Sequence, residues 1–340
     1  MSRILVIQTA FAGDLVLTLP LVQELRATVD GSNITVLCIP STAPLLARHP
    51  AVDSVIVYDK RNHSPSLTKL GAVLRAQRFD MVVCPHRSLR SALLARVAGA
   101  RIRVGFDLPV VRRFYTHRAA YVKTDHEVLR NLSLLAALGM KVNGCRRPEL
   151  YPGPDDEAAA AAIAREFRPE LESVVIAPGS VWATKRWTPE GFAAVAAEFS
   201  VTHNVVLAGG REDEELCRGI ARMSKAPVIV AAGRLSFTAS AALIRSAALL
   251  ISNDSAPVHL ASAVGTPVVE IYGATVPEFG FTPYGVPYRL VQMKDLECRP
   301  CGIHGARQCP IKTFECMKNL AASTVIEAAR CLLQSAFPGC

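Results

Sequence analysis

The sequence predicts an α/β fold made of two doubly wound parallel-sheet domains. Three observations carry this. Short apolar runs alternate with helix-period patterns along both halves of the 340 residues, and that alternation implies βαβ units around a parallel sheet. The stretch NGCRRPELYPGPDDE, starting at residue 143, packs glycine, prolines and charges between two helical patterns, as a linker does. The length is too great for one small domain and comfortable for two. The expected division is residues 1–150, 151–320 and a C-terminal helix within 321–340.

In the first half, the run Ile4, Leu5, Val6, Ile7 anchors a strand at 3–8, with further strands at 33–39, 54–58 and 80–84. Helical spacing fits 15–29, 66–77, 89–99 and 125–139. After the linker, DDEAAAAAIAREF starts a helix with Asp155 or Asp156 as its N-cap. Strands then fit 173–177, 204–208, 228–231, 248–252 and 267–271, and helices 189–199, 211–223, 236–246 and 256–264. The last pattern, 322–335, has one apolar face that can pack on either domain, including back toward the N-terminal one. Two such domains are expected to face a central cleft. In open α/β sheets ligands bind beyond the carboxyl ends of the strands, so the residues after each strand are the ones to read for chemistry.

Half the residues are hydrophobic and a fifth are charged, which suits a globular chain with a sizeable core. No apolar run approaches the ~20 residues of a membrane span. Arg3 is followed by only four apolar residues before Gln8 and Thr9, which does not make a signal peptide, so a cytoplasmic location is expected. The net charge is +9. Between Arg87 and Arg118, Arg90, Arg96, Arg101, Arg103, Arg112 and Arg113 face a single acid, Asp107. That is either a solvated basic face or an attraction to an anionic partner; without an aromatic ladder or zinc-finger spacing, nucleic acid ranks last. Cys38, Cys84, Cys145 and Cys217 are scattered. Cys298, Cys301, Cys309 and Cys316 cluster in CRPCGIHGARQCPIKTFEC. The leading CxxC makes them a zinc candidate, the wider second spacing weakens it, and reduced thiols or a disulfide remain open.

The first strand end, TAFAGDLVL, holds one glycine, Gly13, and one acid, Asp14. A dinucleotide turn would carry more glycines, and neither a Walker motif nor a GxSxG elbow is present. After 173–177, Gly179 and Ser180 form a turn, and Lys185 and Arg186 suit a diphosphate or an exposed basic loop, ahead of Thr188 as N-cap and Pro189. After 204–208, Glu212, Asp213, Glu214 and Glu215 fill a first helical turn. The helix dipole alone favours acids there, and one of them can also accept ribose hydroxyls. After 248–252, Asp254 or Ser255 caps a helix with Ala256 and Pro257 in its first turn. Its free N–H groups favour an anion. An ionised Asp254 would repel a phosphate, so capping or hydroxyl binding suits it better. His259 follows Ser255 by one turn, on the same face.

Taken together, ILVIQTAFAGDLVLTLPLVQELR, PGSVWATKRW and SNDSAPVHLASAVGTPVVEIYG resemble the lipopolysaccharide heptosyltransferases of glycosyltransferase family 9. CRPC…CP…C is similar to the tail of many members. The resemblance covers nearly the whole chain. It implies GT-B architecture and an inverting, metal-independent transfer of heptose from ADP-heptose to the lipopolysaccharide inner core. The expected site is the cytoplasmic face of the inner membrane, peripherally attached, with no cofactor beyond the ADP-sugar donor. Asp14, beside Gly13, matches the general base, and Lys185 the phosphate-binding lysine. Asp254, Ser255, Ala256 and His259 match the nucleotide-sugar segment, with Ser180 and Arg186 beside it. Glu212 or Glu214 matches the ribose acid. Arg87, Arg90, Arg112 and Arg113 are expected to bind the anionic acceptor. The chain departs from the pattern at Ala256, where many members have glycine, and at Phe11 and Ala12, where a polar pair is usual. An epimerase or hydrolase of the same architecture, and a non-catalytic nucleotide-sugar-binding protein, are the alternatives.

Overall fold

A computed structural model describes residues 2–62, 64–142 and 146–335; Cys145, with the rest of 143–145, and residues 336–340 lie outside the described residues. The chain divides into two compact units, residues 1–151 and 152–340.

The first unit runs β1 (Arg3–Ile7), α1 (Ala12–Val16), α2 (Leu19–Thr28), β2 (Asn33–Cys38), β3 (Ser54–Val57), α3 (Leu67–Ala76), β4 (Met81–Cys84), α4 (Leu89–Val97), β5 (Ile102–Phe106), β6 (His117–Ala119) and α5 (Glu127–Ala136). Its parallel sheet has the order β3-β2-β1-β4-β5-β6. The core joins Leu5 and Ile7 of β1 to Leu70, Leu74, Val82, Leu94 and Tyr115. Ser66 and Ser88 cap α3 and α4 by accepting the amides of Lys69 and Ser91.

The second unit runs α6 (Pro154–Ala164), β7 (Ser173–Ala177), α7 (Pro189–Phe199), β8 (Asn204–Leu207), α8 (Glu214–Ser224), β9 (Val228–Val230), α9 (Phe237–Arg245), β10 (Leu249–Asn253), α10 (Ala256–Val264), β11 (Val268–Tyr272), β12 (Tyr288–Gln292), α11 (Glu315–Lys318) and α12 (Ala322–Ser335). Its sheet order is β12-β11-β10-β7-β8-β9. Counted from its own first strand, this is the same winding as the first unit. Both sheets therefore reverse direction beside their first strand, at β1/β4 and at β7/β10, and a doubly wound sheet opens a ligand crevice at that reversal. The central strands β7, β10 and β11 are buried along their whole length, as strands covered by helices on both faces must be.

Several expectations need correction. The single helix at 15–29 is two helices, because Pro20 in the first turn of α2 cannot donate to the carbonyl of residue 16 and its ring crowds it. The helix after the linker starts earlier than expected. Its N-cap is Gly153, Pro154 follows in its first turn, and Asp156 sits inside, accepting the Gly153 amide at 2.9 Å. Strands β5, β6 and β12 add to the strands that the sequence predicts; the patterns IRVGF, HRA and YRLVQ interrupt their apolar positions with charge. Of the two packings open to the C-terminal helix, α12 takes the one on the second unit: it buries Val325, Ala329 and Leu332 in that unit's core, beside α7 and β12. No helix of the described residues is long and apolar enough to cross a membrane.

Trp187 ties α7 into that core. It is 2% exposed, packs edge-on to Phe192 at 5.0 Å and donates Nε1–H to the Leu320 carbonyl at 3.2 Å. Trp187→Ala leaves a cavity and an unpaired carbonyl and is expected to lower the unfolding free energy by about 3–5 kcal/mol, read from the midpoint shift in urea denaturation. A shift equivalent to less than about 1 kcal/mol would show that the ring is not part of the packed core.

Candidate functional site

At the β7/β10 reversal lies a cavity of about 500 Å³, within the ~300–1,000 Å³ of small-molecule sites. Gly179, Ser180 and Arg186 line it from the loop after β7, and Gly209, Gly210, Glu212 and Asp213 from the turn after β8. Ser255, Ala256, Pro257 and Leu260 line it from the start of α10, and Leu235, Phe237, Ser240 and Ile244 from α9 and the residues before it. One part is therefore apolar and aromatic, and another presents hydroxyls, an arginine, two carboxylates and a helix start.

The backbone makes the cavity. A side chain at Gly179 would land in the Asp213 carboxyl group, and one at Gly210 in the Glu212 carboxyl group. Gly179 is needed so that chain and the half-buried Asp213 carboxylate can share this space, whereas the exposed Glu212 carboxyl group can swing away from a side chain at Gly210. Asp213 accepts the Gly210 amide at 3.0 Å, and burial holds its carboxyl above the usual range. Thr188 caps α7 by accepting the Gly191 amide at 3.1 Å, with Pro189 in the first turn.

The loop bearing Lys185 is fixed by two neighbouring residues at the end of β10. Asn253, fully buried, donates Nδ2–H to the Pro178 carbonyl at 2.8 Å and accepts the Trp187 amide at 3.0 Å, holding the loop at both ends. Asp254 binds the Lys185 ammonium at 2.6 Å and accepts the Thr275 hydroxyl at 2.6 Å. Lys185 and Asp254 side chains are 14% and 8% exposed, so removing either strands a charge in a poorly solvated place.

These contacts revise several sequence expectations. Asp254 does not cap α10. Ser255 holds the N-cap position, without a capping bond from its side chain. Lys185, Asp254 and His259 are not part of the cavity lining; His259 is 5% exposed inside α10. Glu214 also stands off the lining and pairs with Arg218 one helical turn away, so of the two ribose candidates only Glu212 faces the cavity. Among the described residues no group of three or more His, Cys, Asp or Glu side chains is arranged to hold a metal ion, the four clustered cysteines included. Asn253, Thr275, Leu235 and Phe237 are site residues that the sequence did not reveal: all four are uncharged, and Asn253 and Thr275 sit at or just beyond the ends of β10 and β11 with no motif of their own. Asp213, one of the four acids expected in the turn after β8, lines the cavity beside Glu212.

The first unit has its own polar cluster at the β1/β4 reversal. Asp14 sits in the first turn of α1, whose N-cap is Phe11. Acids in a first turn suit the helix dipole. Its backbone carbonyl accepts the Thr18 hydroxyl at 2.8 Å, and Thr18 accepts from Gln8 at 2.9 Å. Lys60 donates to the Thr9 carbonyl and feels the charges of Asp14 and Arg90. Arg87 stacks 4.3 Å over Tyr121, Arg130 covers the same ring at 4.9 Å, and Arg130 pairs with buried Glu127 at 2.8 Å. Arg112 and Arg113 are exposed on a short turn packed against α4. The structure thus joins Arg87 and Arg90 to the surroundings of Asp14 and places Arg112 and Arg113 on a neighbouring turn. Lys60, His86, Tyr121 and Glu127 carry no motif or spacing signal in the sequence; only the fold brings these distant residues together around β1 and β4.

The profile of Glycosyltransferase family 9 (heptosyltransferase) matches residues 67–312. Lipopolysaccharide heptosyltransferase 3 of Escherichia coli is 30% identical over 286 residues, covering 78% of this chain and 82% of that protein. The solved glycosyl transferase family 9 protein from Veillonella parvula superposes with a TM-score of 0.89 at 26% identity, over 98% of both chains. An E. coli heptosyltransferase solved with ADP superposes at 0.76 with 20% identity, over 97% of this chain and 99% of that one, a likeness of fold. The two Rossmann-like sheets are those of the GT-B class.

Burial also fixes a pH dependence. His49 and His86 are pushed down to about 4 by desolvation, and His86 further by Lys60 and Arg87. Folded, both stay neutral to about pH 4; unfolded, each takes a proton near 6.5. Their contribution is complete above 6.5 and is lost as pH falls toward 4. Thermal stability is expected to fall between pH 6.5 and 4.5. His86→Gln is expected to reduce the slope of unfolding free energy against pH by up to about 1.4 kcal/mol per unit, measured by denaturation at pH 7, 6 and 5. An unchanged slope would mean that His86 takes its proton in the folded state.

Proposed function

The chain belongs to glycosyltransferase family 9, and from that membership we propose that it moves heptose from ADP-heptose to the inner core of lipopolysaccharide, with inversion and without a metal. The observation that carries this reading is the cavity at β7/β10. Its apolar part, Leu235, Phe237, Ile244 and Leu260, suits a purine face, and the Glu212 carboxylate on its lining suits a ribose diol. Its polar part, Ser180, Arg186 and the amides opening α10, suits a diphosphate. The E. coli relative solved with ADP supports the choice of base.

In this reading the second unit binds the donor and the first unit binds the acceptor. The acceptor hydroxyl attacks the anomeric carbon from the side opposite the diphosphate. The new C–O bond forms as the bond to the diphosphate oxygen breaks, and ADP departs. Asp14 takes the hydroxyl proton, since a neutral hydroxyl is a weak nucleophile. Arg186, the helix start at Ser255 and Ala256, and the Lys185 ammonium held by Asp254 offset the charge gathering on the leaving diphosphate. No cofactor besides the donor is needed. Arg87 and Arg90, with Arg112 and Arg113 nearby, draw an anionic, lipid-anchored acceptor and a peripheral attachment to the cytoplasmic leaflet.

Calorimetric titration with ADP-, UDP- and GDP-sugars tests the donor assignment; binding of the ADP-sugar at least tenfold tighter is expected, and equal or reversed preference refutes it. Asp14→Asn is expected to lower kcat by about 10²–10⁴ while donor affinity stays within threefold. Normal turnover in that variant removes Asp14 from the chemistry. Arg87→Glu with Arg90→Glu is expected to raise acceptor KM about tenfold or more, a like-charge cost of the size that complementary interfaces show, and to leave donor KM in place.

A further inference from the structure

The cysteine-rich segment after β12 has no part in the reading above, and it is bonded to the back of the donor site at several points. Arg299 donates from Nη2 to the Thr275 carbonyl at 2.7 Å and to Gln292 Oε1 at 2.9 Å, and from Nη1 to the Met293 carbonyl at 2.6 Å. The Cys301 amide donates to the Ala274 carbonyl at 2.9 Å. Residues 274 and 275 are thereby held from outside the sheet. Thr275 in turn donates its hydroxyl to Asp254, and Asp254 binds Lys185.

The same segment reaches the lysine loop directly. The Thr184 amide and hydroxyl both donate to the Ala306 carbonyl, at 3.1 and 3.0 Å, and the Ala306 amide donates to Thr184 Oγ1 at 2.7 Å. The Ala274 amide completes the contact by donating to the Thr184 carbonyl at 3.3 Å. Thr184, the residue before Lys185, is 2% exposed. The packing leaves no slack: a side chain at Gly273 would strike Met317 and the Thr184 carbonyl, and one at Gly305 would crowd Trp182, Lys185 and Thr184. The segment thus grips Lys185 twice, through Ala306 on its chain neighbour and through Arg299, Thr275 and Asp254 on its ammonium.

From this we infer that Arg299 is a positioning residue for the transfer: from within the cysteine-rich segment it fixes the 274–275 turn, and through Thr275 and Asp254 it fixes the Lys185 ammonium. The physical reason is orientational. An ammonium offsets a developing charge only when it is already in place, and a side chain of Lys185's length has many rotamers to lose. A carboxylate that is itself held by a hydroxyl, on a turn that is itself held by a guanidinium, removes that freedom in advance. Lysine cannot replace Arg299 fully, because the planar fork reaches three acceptors at once.

This inference rests on the reading that Lys185 serves the donor's diphosphate, and the tests separate the two. Hydrogen–deuterium exchange on the ligand-free protein needs no substrate. Arg299→Gln is expected to speed exchange of the amides at 184–187 at least tenfold, with β1, β2 and α5 unchanged; unaltered exchange at 184–187 overturns the inference. Steady-state kinetics supply the functional arm. Arg299→Gln and Thr275→Val are expected to lower kcat about tenfold or more, within the range of a misplaced catalytic group, with donor KM moving less than threefold. Thr275→Ser, which keeps the hydroxyl, is expected to restore most of kcat, and Arg299→Lys a part. Equal loss in Thr275→Ser and Thr275→Val, or kcat within threefold of wild type in both Arg299→Gln and Thr275→Val, overturns it. If the wild type binds no ADP-sugar, the donor assignment fails, while the exchange result still decides whether Arg299 holds the Lys185 loop.

Discussion

Two adjacent side chains at the end of one strand organise the second unit's site. Asn253 and Asp254 close β10 and both reach to the loop that leaves β7. Asn253 spends its amide on the loop's two ends, and Asp254 spends its charge on the lysine between them. Such bonds form in low dielectric, where a lost partner costs more than the bond is worth in water. The loop cannot drift without exposing a buried amide or splitting a buried ion pair. Gly179, Ser180, Val181 and Arg186, which this loop gives to the cavity, lie between the two bonds of that constraint.

The sheet topology explains why these two residues meet that loop. Strands β7 and β10 are neighbours although separated in sequence, because the winding reverses between them. Their following loops must part to opposite faces of the sheet, which opens a crevice, and only groups at the two strand ends can bridge it. The first unit repeats the arrangement at β1 and β4, where Thr9 and His86 are hydrogen-bonded at 3.0 Å and Asp14 starts the following helix. The same winding in two units has been filled with different chemistry: glycines, hydroxyls and a helix start in one, and a carboxylate among arginines and a lysine in the other.

Beyond membership of glycosyltransferase family 9, each of these features is held by contacts of its own. In the proposed function the apolar part of the cavity and its carboxylates serve recognition and the paired lysine offsets charge; a carboxylate partner suits that role, since an ammonium fixed in advance loses little freedom when an anion arrives. The cysteine-rich segment, which composition alone casts as a metal or redox element, earns its place here through backbone amides, one guanidinium and tight packing around Gly273 and Gly305.

The sequence by itself determined the layer architecture, the strand ends that carry polar chemistry and much of the polar lining of the β7/β10 cavity. Those signals are local: apolar runs such as VVIA and LLIS, Thr188–Pro189 at a helix start, a glycine pair before acids. It missed β5, β6 and β12, whose charged positions break the apolar pattern, and it joined α1 to α2 across Pro20. Only the tertiary structure decided that Asp254 binds Lys185 and does not cap a helix, that Glu212 and not Glu214 faces the cavity, and that α12 packs on the second unit. Each of these is a choice of partner for a side chain that is chemically able to do either. Local spacing fixes what a residue can bond, and the register of distant strands fixes which partner comes within reach.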